Sequence, residues 1–152
     1  MSELELRVEP YDGATAQRLV AAVQAEYVVR YGGPDESPVD PSEFAPPAGV
    51  FLVGYVDGVP VATGAFRRHG QADVEIKRMY VVPEMRGRGL SRLMLAALEE
   101  RARAAGASQV VLETGDKQPE AISLYESSGY ERSGSFGHYA CRPGSYSFAK
   151  KL

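Results

Sequence analysis

The sequence is poor in the residues that build disulfide frameworks and metal sites. Its 152 residues include a single cysteine, Cys141, two histidines, His69 and His138, and no tryptophan. A single cysteine excludes an internal disulfide framework and a multi-cysteine metal site. The histidines show neither HExxH nor HxH spacing, so we expect no zinc site and no metal cofactor.

Long apolar runs and an excess of charge are also missing. No run approaches the ~18 apolar residues of a membrane-spanning helix, and the acidic start MSELELRVEPYDG does not resemble a secretory signal. The chain carries 17 basic and 20 acidic side chains, for a net charge of −3. We therefore expect a cytoplasmic protein without nucleic-acid or membrane partners. The composition leaves the oligomeric state open, including a homodimer.

What is present is typical of one globular domain. Apolar residues make up 44% and charged residues 24% of the chain, which is too apolar for a disordered protein. A length of about 150 residues is usual for one domain. We expect residues 1–152 to form a single domain.

The spacing of apolar residues predicts the order β-α-βββ-α-β-α-ββ. Residues 4–9 alternate as a strand, and residues 19–31 have helical spacing, with Asp12 or Thr15 as N-cap and a stop at Gly32. A proline-rich loop follows at residues 34–47. Three strands are then predicted at 50–56, 59–66 and 72–82, followed by a helix from Leu90 to Gly106. The apolar face of this helix consists of Leu90, Leu93, Met94, Ala97, Leu98 and Ala105. The last predicted elements are a strand at 110–112, a helix between Pro119 and Gly129, and strands near 130–135 and 145–150. This order predicts an α/β (α+β) fold with a mixed central sheet and helices on both faces.

A glycine-rich turn lies between a strand and the amphipathic helix. The segment Arg86-Gly87-Arg88-Gly89-Leu90-Ser91 lets several backbone N–H groups converge at a helix N-terminus, which is a site for pyrophosphate. A dinucleotide-binding GxGxxG would need glycine where Arg92 stands, and the GK[ST] of a P-loop is absent.

Two motifs and the element order resemble the GNAT superfamily of N-acetyltransferases. The first motif is Arg86-x-x-Gly89-x-Ser91, and the second is Gln118-x-x-Ala121-x-x-Leu124-Tyr125-Glu126-x-x-Gly129-Tyr130. Ser91 departs from the family's glycine or alanine, and Gln118 replaces its usual asparagine. The resemblance implies acetyl-CoA as cosubstrate and direct transfer to a primary amine in a ternary complex. A small metabolite is slightly favoured over a protein as acceptor, because the proline-rich loop could cap the acceptor side. The alternatives are a non-catalytic, regulatory acetyl-CoA-binding module and an unrelated phosphate-binding protein.

The resemblance also implies roles for individual residues. Glu75 is the first candidate for the general base and Glu113 the second, either one acting through a water, while Tyr125 is the acid for the departing thiolate. The backbone of Met79, Tyr80 and Val81 maps to the strand that holds pantetheine and the carbonyl oxygen. The expected acetyl-CoA-binding set is Met79, Tyr80, Val81, Arg86, Gly87, Arg88, Gly89, Leu90, Ser91, Gln118 and Tyr125.

Two further groups of residues could take part in binding or catalysis. The cations Arg67, Arg68, Lys77 and Arg78 are predicted to form a solvated strand face, with a counter-charge for an anionic substrate as the minority interpretation. Cys141 and His138 are too close in a polar loop to favour a nucleophilic pair, so an incidental thiol is expected.

Overall fold

The computed structural model describes residues 3–134, 139 and 142–152, which form one mixed seven-stranded sheet flanked by helices. The strands are β1 (Glu5–Val8), β2 (Gly49–Val56), β3 (Val59–His69), β4 (Asp73–Val81), β5 (Gln109–Gly115), β6 (Glu131–Arg132) and β7 (Ser145–Lys151). The helices are α1 (Ala14–Tyr31), α2 (Leu90–Ala104) and α3 (Pro119–Ser127), and short 3-10 turns span Pro41–Phe44 and Pro83–Met85. The predicted element order and fold class are confirmed.

The sheet has the strand order β1-β2-β3-β4-β5-β7-β6. Strands β1 to β4 form an antiparallel meander, and α2 then connects β4 to the parallel strand β5. Strands β7 and β6 complete the sheet in antiparallel pairing. The Asp57-Gly58 turn between β2 and β3 has φ values of 53° and 78°, as a tight hairpin turn requires.

The two faces of the sheet bury separate apolar cores, because successive side chains of a strand point to opposite faces. Along β2, Val50 and Leu52 pack in the core that contains α2 and α3, whereas Phe51 and Val53 pack with α1. This places helices on both faces, as predicted.

Two local predictions on the helices are wrong. The N-cap of α1 is Gly13, and neither Asp12 nor Thr15 has that position. Gly13 is extended, with a φ of −70° and a ψ of 158°, and its carbonyl accepts the first helical hydrogen bond from the Gln17 N–H at 2.9 Å, while no side chain caps the helix. On α2, Leu93 is 54% exposed and Ala105 lies beyond the last helical residue, because the helix's buried stripe also runs through Leu95 and Ala102.

Strands β4 and β5 separate after a short stretch of pairing. Only Asp73 to Glu75 pair with Gln109 to Val111, although β4 continues to Val81 and β5 to Gly115. Arg78 adds to the distortion with a φ of 59°, at a register shift between β3 and β4. The Thr63 hydroxyl donates to the Arg78 carbonyl at 2.6 Å and supports this bulge. A wedge therefore opens in the middle of the sheet.

Candidate active site

A cavity of about 860 Å³ occupies the wedge between β4 and β5. Its walls also include the end of α1 with the loop that follows, the glycine turn before α2, and the start of α3. Every residue of the predicted site except Arg88 lines it. Arg88 is exposed and lies outside the cavity wall.

The glycine turn lines the cavity and has open space beside both of its glycines. Gly87 and Gly89 both have a φ of 78°, and a Cβ added to either would meet no atom within 4 Å. Gly89 is also the N-cap of α2, so the unpaired N–H groups of the first helical turn adjoin this space. Backbone donors and the positive end of the helix dipole suit a pyrophosphate group.

Arg86 braces the turn. Its Nε donates to the Val81 carbonyl at 2.8 Å, and its Nη2 donates to Glu26 on α1 at 2.7 Å. The guanidinium therefore ties the turn to β4 and α1. Across the cavity, Gln118 is the N-cap of α3, and its Oε1 accepts a hydrogen bond from the Tyr31 hydroxyl at 3.2 Å.

The two candidate bases differ in their partners. Glu75 is 6% exposed, and its Oε1 accepts from Arg67 Nε at 3.0 Å. Glu113 is half-buried, and its Oε2 has no hydrogen-bond partner among the residues that the structure describes. Glu75 is therefore an ion-paired carboxylate, whereas Glu113 retains an unused acceptor.

The surroundings of Glu113 shift its acidity towards neutrality. Burial is the main cause, and the nearby negative charge of Glu75 acts in the same direction, followed by that of Asp35. Lys77 and a backbone hydrogen bond from Tyr139 oppose them, and the pKa of Glu113 is raised to about 7. A carboxyl with this pKa exchanges protons near physiological pH, as a general base must.

Tyr125 is buried on α3 where the helix meets the cavity. Its ring packs edge-on against Tyr130, with centroids 5.6 Å apart, and lies 6.4 Å from Phe148. Burial raises the pKa of Tyr125 above its ordinary value, so the phenol stays protonated at neutral pH. It can therefore donate a proton or a hydrogen bond into the cavity.

Comparison with known proteins agrees with this architecture. The sequence matches the acetyltransferase (GNAT) family over residues 17–130. The chain belongs to this family. It is similar to an IAA acetyltransferase of Azospirillum brasilense, with 40% identity over 103 residues, or 67% of each chain. The N-acetylaspartate synthetase of Homo sapiens is 32% identical over 119 residues, which are 78% of this chain but only 39% of the synthetase.

Solved structures of GNAT-type proteins superpose on almost the whole chain. A Klebsiella pneumoniae protein described as an acyl-CoA N-acyltransferase has 30% identity and a TM-score of 0.83, with 98% of this chain and 97% of that one covered. The PaiA N-acetyltransferase of Thermoplasma acidophilum, solved in complex with coenzyme A, has 14% identity and a TM-score of 0.75, with 99% of each chain covered. This GNAT protein is accordingly an acyl-CoA N-acyltransferase. No helix in the described part of the chain has the length and apolarity of a membrane span.

The basic residues of this GNAT enzyme do not form the predicted solvated face. The side chains of Arg67, Lys77 and Arg78 are only 14%, 9% and 3% exposed, and each is paired with a carboxylate. The prediction was wrong for these three because Glu43 and Asp35, both from the segment between α1 and β2, pack against them. Arg68 alone is exposed, and its Nη2 donates to the Ala105 carbonyl at 2.8 Å. His138 and Cys141 lie outside the described residues.

Sequence reasoning missed Asp35, Tyr27, Tyr31 and Tyr139, all of which line the cavity. The predicted role of the proline-rich loop was the only signal that pointed towards one of them, since Asp35 lies in that loop. The tyrosines belong to segments without a family motif. They reach the cavity through the packing of α1 and the chain before β7.

Proposed function

We propose that this GNAT enzyme transfers an acetyl group from acetyl-CoA to a primary amine, by direct attack in a ternary complex. One observation carries the proposal: the unpartnered carboxylate oxygen of Glu113 and the buried phenol of Tyr125 line the same cavity as the glycine turn. This arrangement supplies a base, an acid and an anion cradle around one space.

The glycine turn would hold the pyrophosphate of acetyl-CoA. The edge of β4 beyond Glu75 has no ladder partner on the β5 side, so Met79, Tyr80 and Val81 offer backbone groups to pantetheine and to the carbonyl oxygen. When bound, acetyl-CoA supplies an acetyl thioester. The coenzyme A complex of the structurally similar Thermoplasma protein supports this choice of ligand.

Glu113 is the favoured base in this mechanism. An alkylamine has a pKa of about 10 and must lose a proton before it attacks. A carboxylate with a pKa of about 7 accepts that proton, directly or through a water, better than an ordinary glutamate does. Glu75, which the sequence favoured, is bound to Arg67 and acts as a charged neighbour that keeps the Glu113 pKa high.

Tyr125 is the proposed acid. Its buried phenol keeps its proton at neutral pH and can donate it to the departing thiolate. The helix position that the motif gave to this tyrosine agrees with its place in the cavity wall.

A small amine remains the favoured acceptor. Gly33, Pro34, Asp35 and Glu36 of the loop after α1 line the cavity, which supports a small acceptor over a protein. Arg67, Lys77 and Arg78 are committed to carboxylates, which argues against their use as counter-charges for an anionic acceptor.

The function is tested by measuring release of the coenzyme A thiol with acetyl-CoA and a panel of acceptors. The panel contains simple amines, amino acids, aminoglycosides, polyamines and lysine peptides. Turnover with one class of small amine and none with peptides supports the proposal. Calorimetric binding of acetyl-CoA without turnover on any acceptor would support the non-catalytic, regulatory module instead.

Gly89→Asp should weaken acetyl-CoA binding by about 2 kcal/mol or more, because a carboxylate would enter the anion cradle. Calorimetry measures the loss. Gly70→Asp is the matched control, since Gly70 also has open space at a φ of 77° but does not line the cavity. Equal affinities for the two variants, with intact thermal transitions, would show that the phosphates bind elsewhere.

Glu75→Gln should move the acidic limb of the kcat/KM profile to lower pH while activity persists. Loss of the Glu75 charge removes a cause that raises the pKa of Glu113. Glu43→Gln is the control, because Glu43 also pairs with Arg67, at 3.1 Å, but does not line the cavity. Abolished activity in Glu75→Gln with an unshifted limb would instead identify Glu75 as the base.

A further inference from the structure

Lys77 is the cation on β4 whose position along the strand corresponds to that of Glu113 on β5. Glu75 and Val111 form the last paired position of β4 and β5. Lys77 and Glu113 each lie two residues beyond that position, and side chains two apart on a strand point to the same face. An ammonium so placed would be expected to pair with the Glu113 carboxylate, but Glu113 Oε2 has no partner in the described chain.

Lys77 is bound by the loop after α1. Its Nζ lies 3.2 Å from Asp35 Oδ2 and donates to the Ser37 hydroxyl at 2.7 Å. The side chains of Lys77 and Asp35 are 9% and 13% exposed, so this pair is little screened by solvent. The Lys77 ammonium is therefore bound to Asp35 and Ser37 of this loop.

Asp35 is itself rigidly held. Arg78 Nη1 donates to its Oδ2 at 2.7 Å, while the Ser37 backbone N–H and the Tyr139 hydroxyl donate to its Oδ1 at 3.0 and 2.8 Å. Burial alone would raise the pKa of Asp35, but Lys77 and the hydrogen bonds from Ser37 and Arg78 outweigh it and hold the pKa well below its usual range. Asp35 stays charged across the working pH range.

Among the residues that the structure describes, four groups act on the charge of Glu113. They are Glu75 and Lys77 from β4, Asp35 from the loop after α1, and Tyr139, through its backbone, from the segment before β7. Lys77 is the one cation among them. An opposite charge that reaches about 4 to 6 Å from a carboxylate lowers its pKa by about 1 to 3 units, so a free Lys77 would leave Glu113 a poor base.

We propose that Asp35 is a positioning residue, which holds the Lys77 ammonium away from Glu113 and so keeps that carboxylate free to accept a proton. The inference rests on the proposed function, in which Glu113 is the base. The Asp35–Lys77 ion pair, which lies outside the family motifs of this sequence, would thus affect catalysis through Glu113.

The test compares wild type with Asp35→Asn, Lys77→Met and the double variant. The side-chain carboxyls are labelled with ¹³C-glutamate, the Glu113 signal is assigned from Glu113→Gln, and its titration is followed by NMR without substrate. In parallel, the pH dependence of kcat/KM is measured with acetyl-CoA and the best acceptor from the thiol-release panel.

In Asp35→Asn, the Glu113 titration midpoint should fall by about 1 to 3 pH units, and the acidic limb of kcat/KM should move with it. Loss of the Asp35 charge alone also lowers this midpoint, so the cause is decided by whether Lys77→Met raises the midpoint more in Asp35→Asn than it does in the wild type. In Asp35→Asn/Lys77→Met the midpoint should return to the wild-type value or above. A double variant that keeps the lowered midpoint, or an unchanged midpoint in Asp35→Asn, would overturn the proposal.

Lys77→Met tests the inference even if Asp35→Asn does not fold. Because Lys77 is already bound by Asp35, its removal should raise the Glu113 midpoint by less than about one unit. A larger rise would mean that Lys77 already pairs with Glu113 and would overturn the proposal. If the midpoints shift as expected while the acidic limb of kcat/KM stays in place, Asp35 holds Lys77 away from Glu113 but Glu113 is not the base.

Discussion

Glu113→Gln should slow acetyl transfer by a factor of about 10² to 10⁴ near neutral pH, the usual contribution of a general base. Glutamine keeps the size and shape of the side chain but cannot accept the proton of the amine. In the wild type, activity should rise with pH through about 7, the raised pKa of Glu113, because only the carboxylate form is a base. That limb should disappear in the variant, and the rate should recover at high pH, where the amine loses its proton unaided. Single-turnover rates from pH 5 to 10 measure the effect.

Glu100→Gln is the control for this substitution. Glu100 is exposed on α2, where it pairs with Arg103, and it lies outside the cavity. It should leave the pH profile unchanged. A Glu113→Gln enzyme that keeps the wild-type limb near pH 7 would remove Glu113 from the mechanism.

Tyr125→Phe should slow the chemical step by a factor on the order of 10², because a proton delivered in the transition state is lost. The ring contacts with Tyr130 and Phe148 remain, so acetyl-CoA affinity should change by no more than about 0.5 to 1 kcal/mol, the contribution of one hydrogen bond. Single-turnover kinetics are required, since product release can limit the steady-state rate.

Tyr146→Phe is the control. Tyr146 lies on β7, its ring packs under the guanidinium of Arg132, and it does not line the cavity. Its single-turnover rate should equal that of the wild type. If Tyr125→Phe also turned over at the wild-type rate, Tyr125 would be a packing residue and water would be the acid. A loss confined to acetyl-CoA affinity would indicate a role in positioning that ligand.

Local sequence patterns were sufficient to predict the elements and the family. Glycines at 87 and 89 between a strand and an amphipathic helix, and the Leu124-Tyr125-Glu126 helix, depend on neighbouring residues alone. Such features are governed by backbone conformation and by helical periodicity, which short segments encode. The predicted N-cap of α1 was wrong because the carbonyl of Gly13, and not that of Asp12 or Thr15, accepts the first helical hydrogen bond.

The state of the charged residues depends on segments far apart in the sequence. Asp35 forms ion pairs with Lys77 and Arg78 only when the loop that follows α1 packs against β4. The same packing brings Glu43 to Arg67, which also pairs with Glu75. The sequence by itself determined the family and the strand and helix order, and it predicted several of the residues that line the cavity, but not Asp35, Tyr27, Tyr31 or Tyr139. The tertiary structure alone decided which carboxylate is ion-paired and which keeps an unpartnered oxygen, because burial and ion pairing depend on distances that only the assembled sheet establishes.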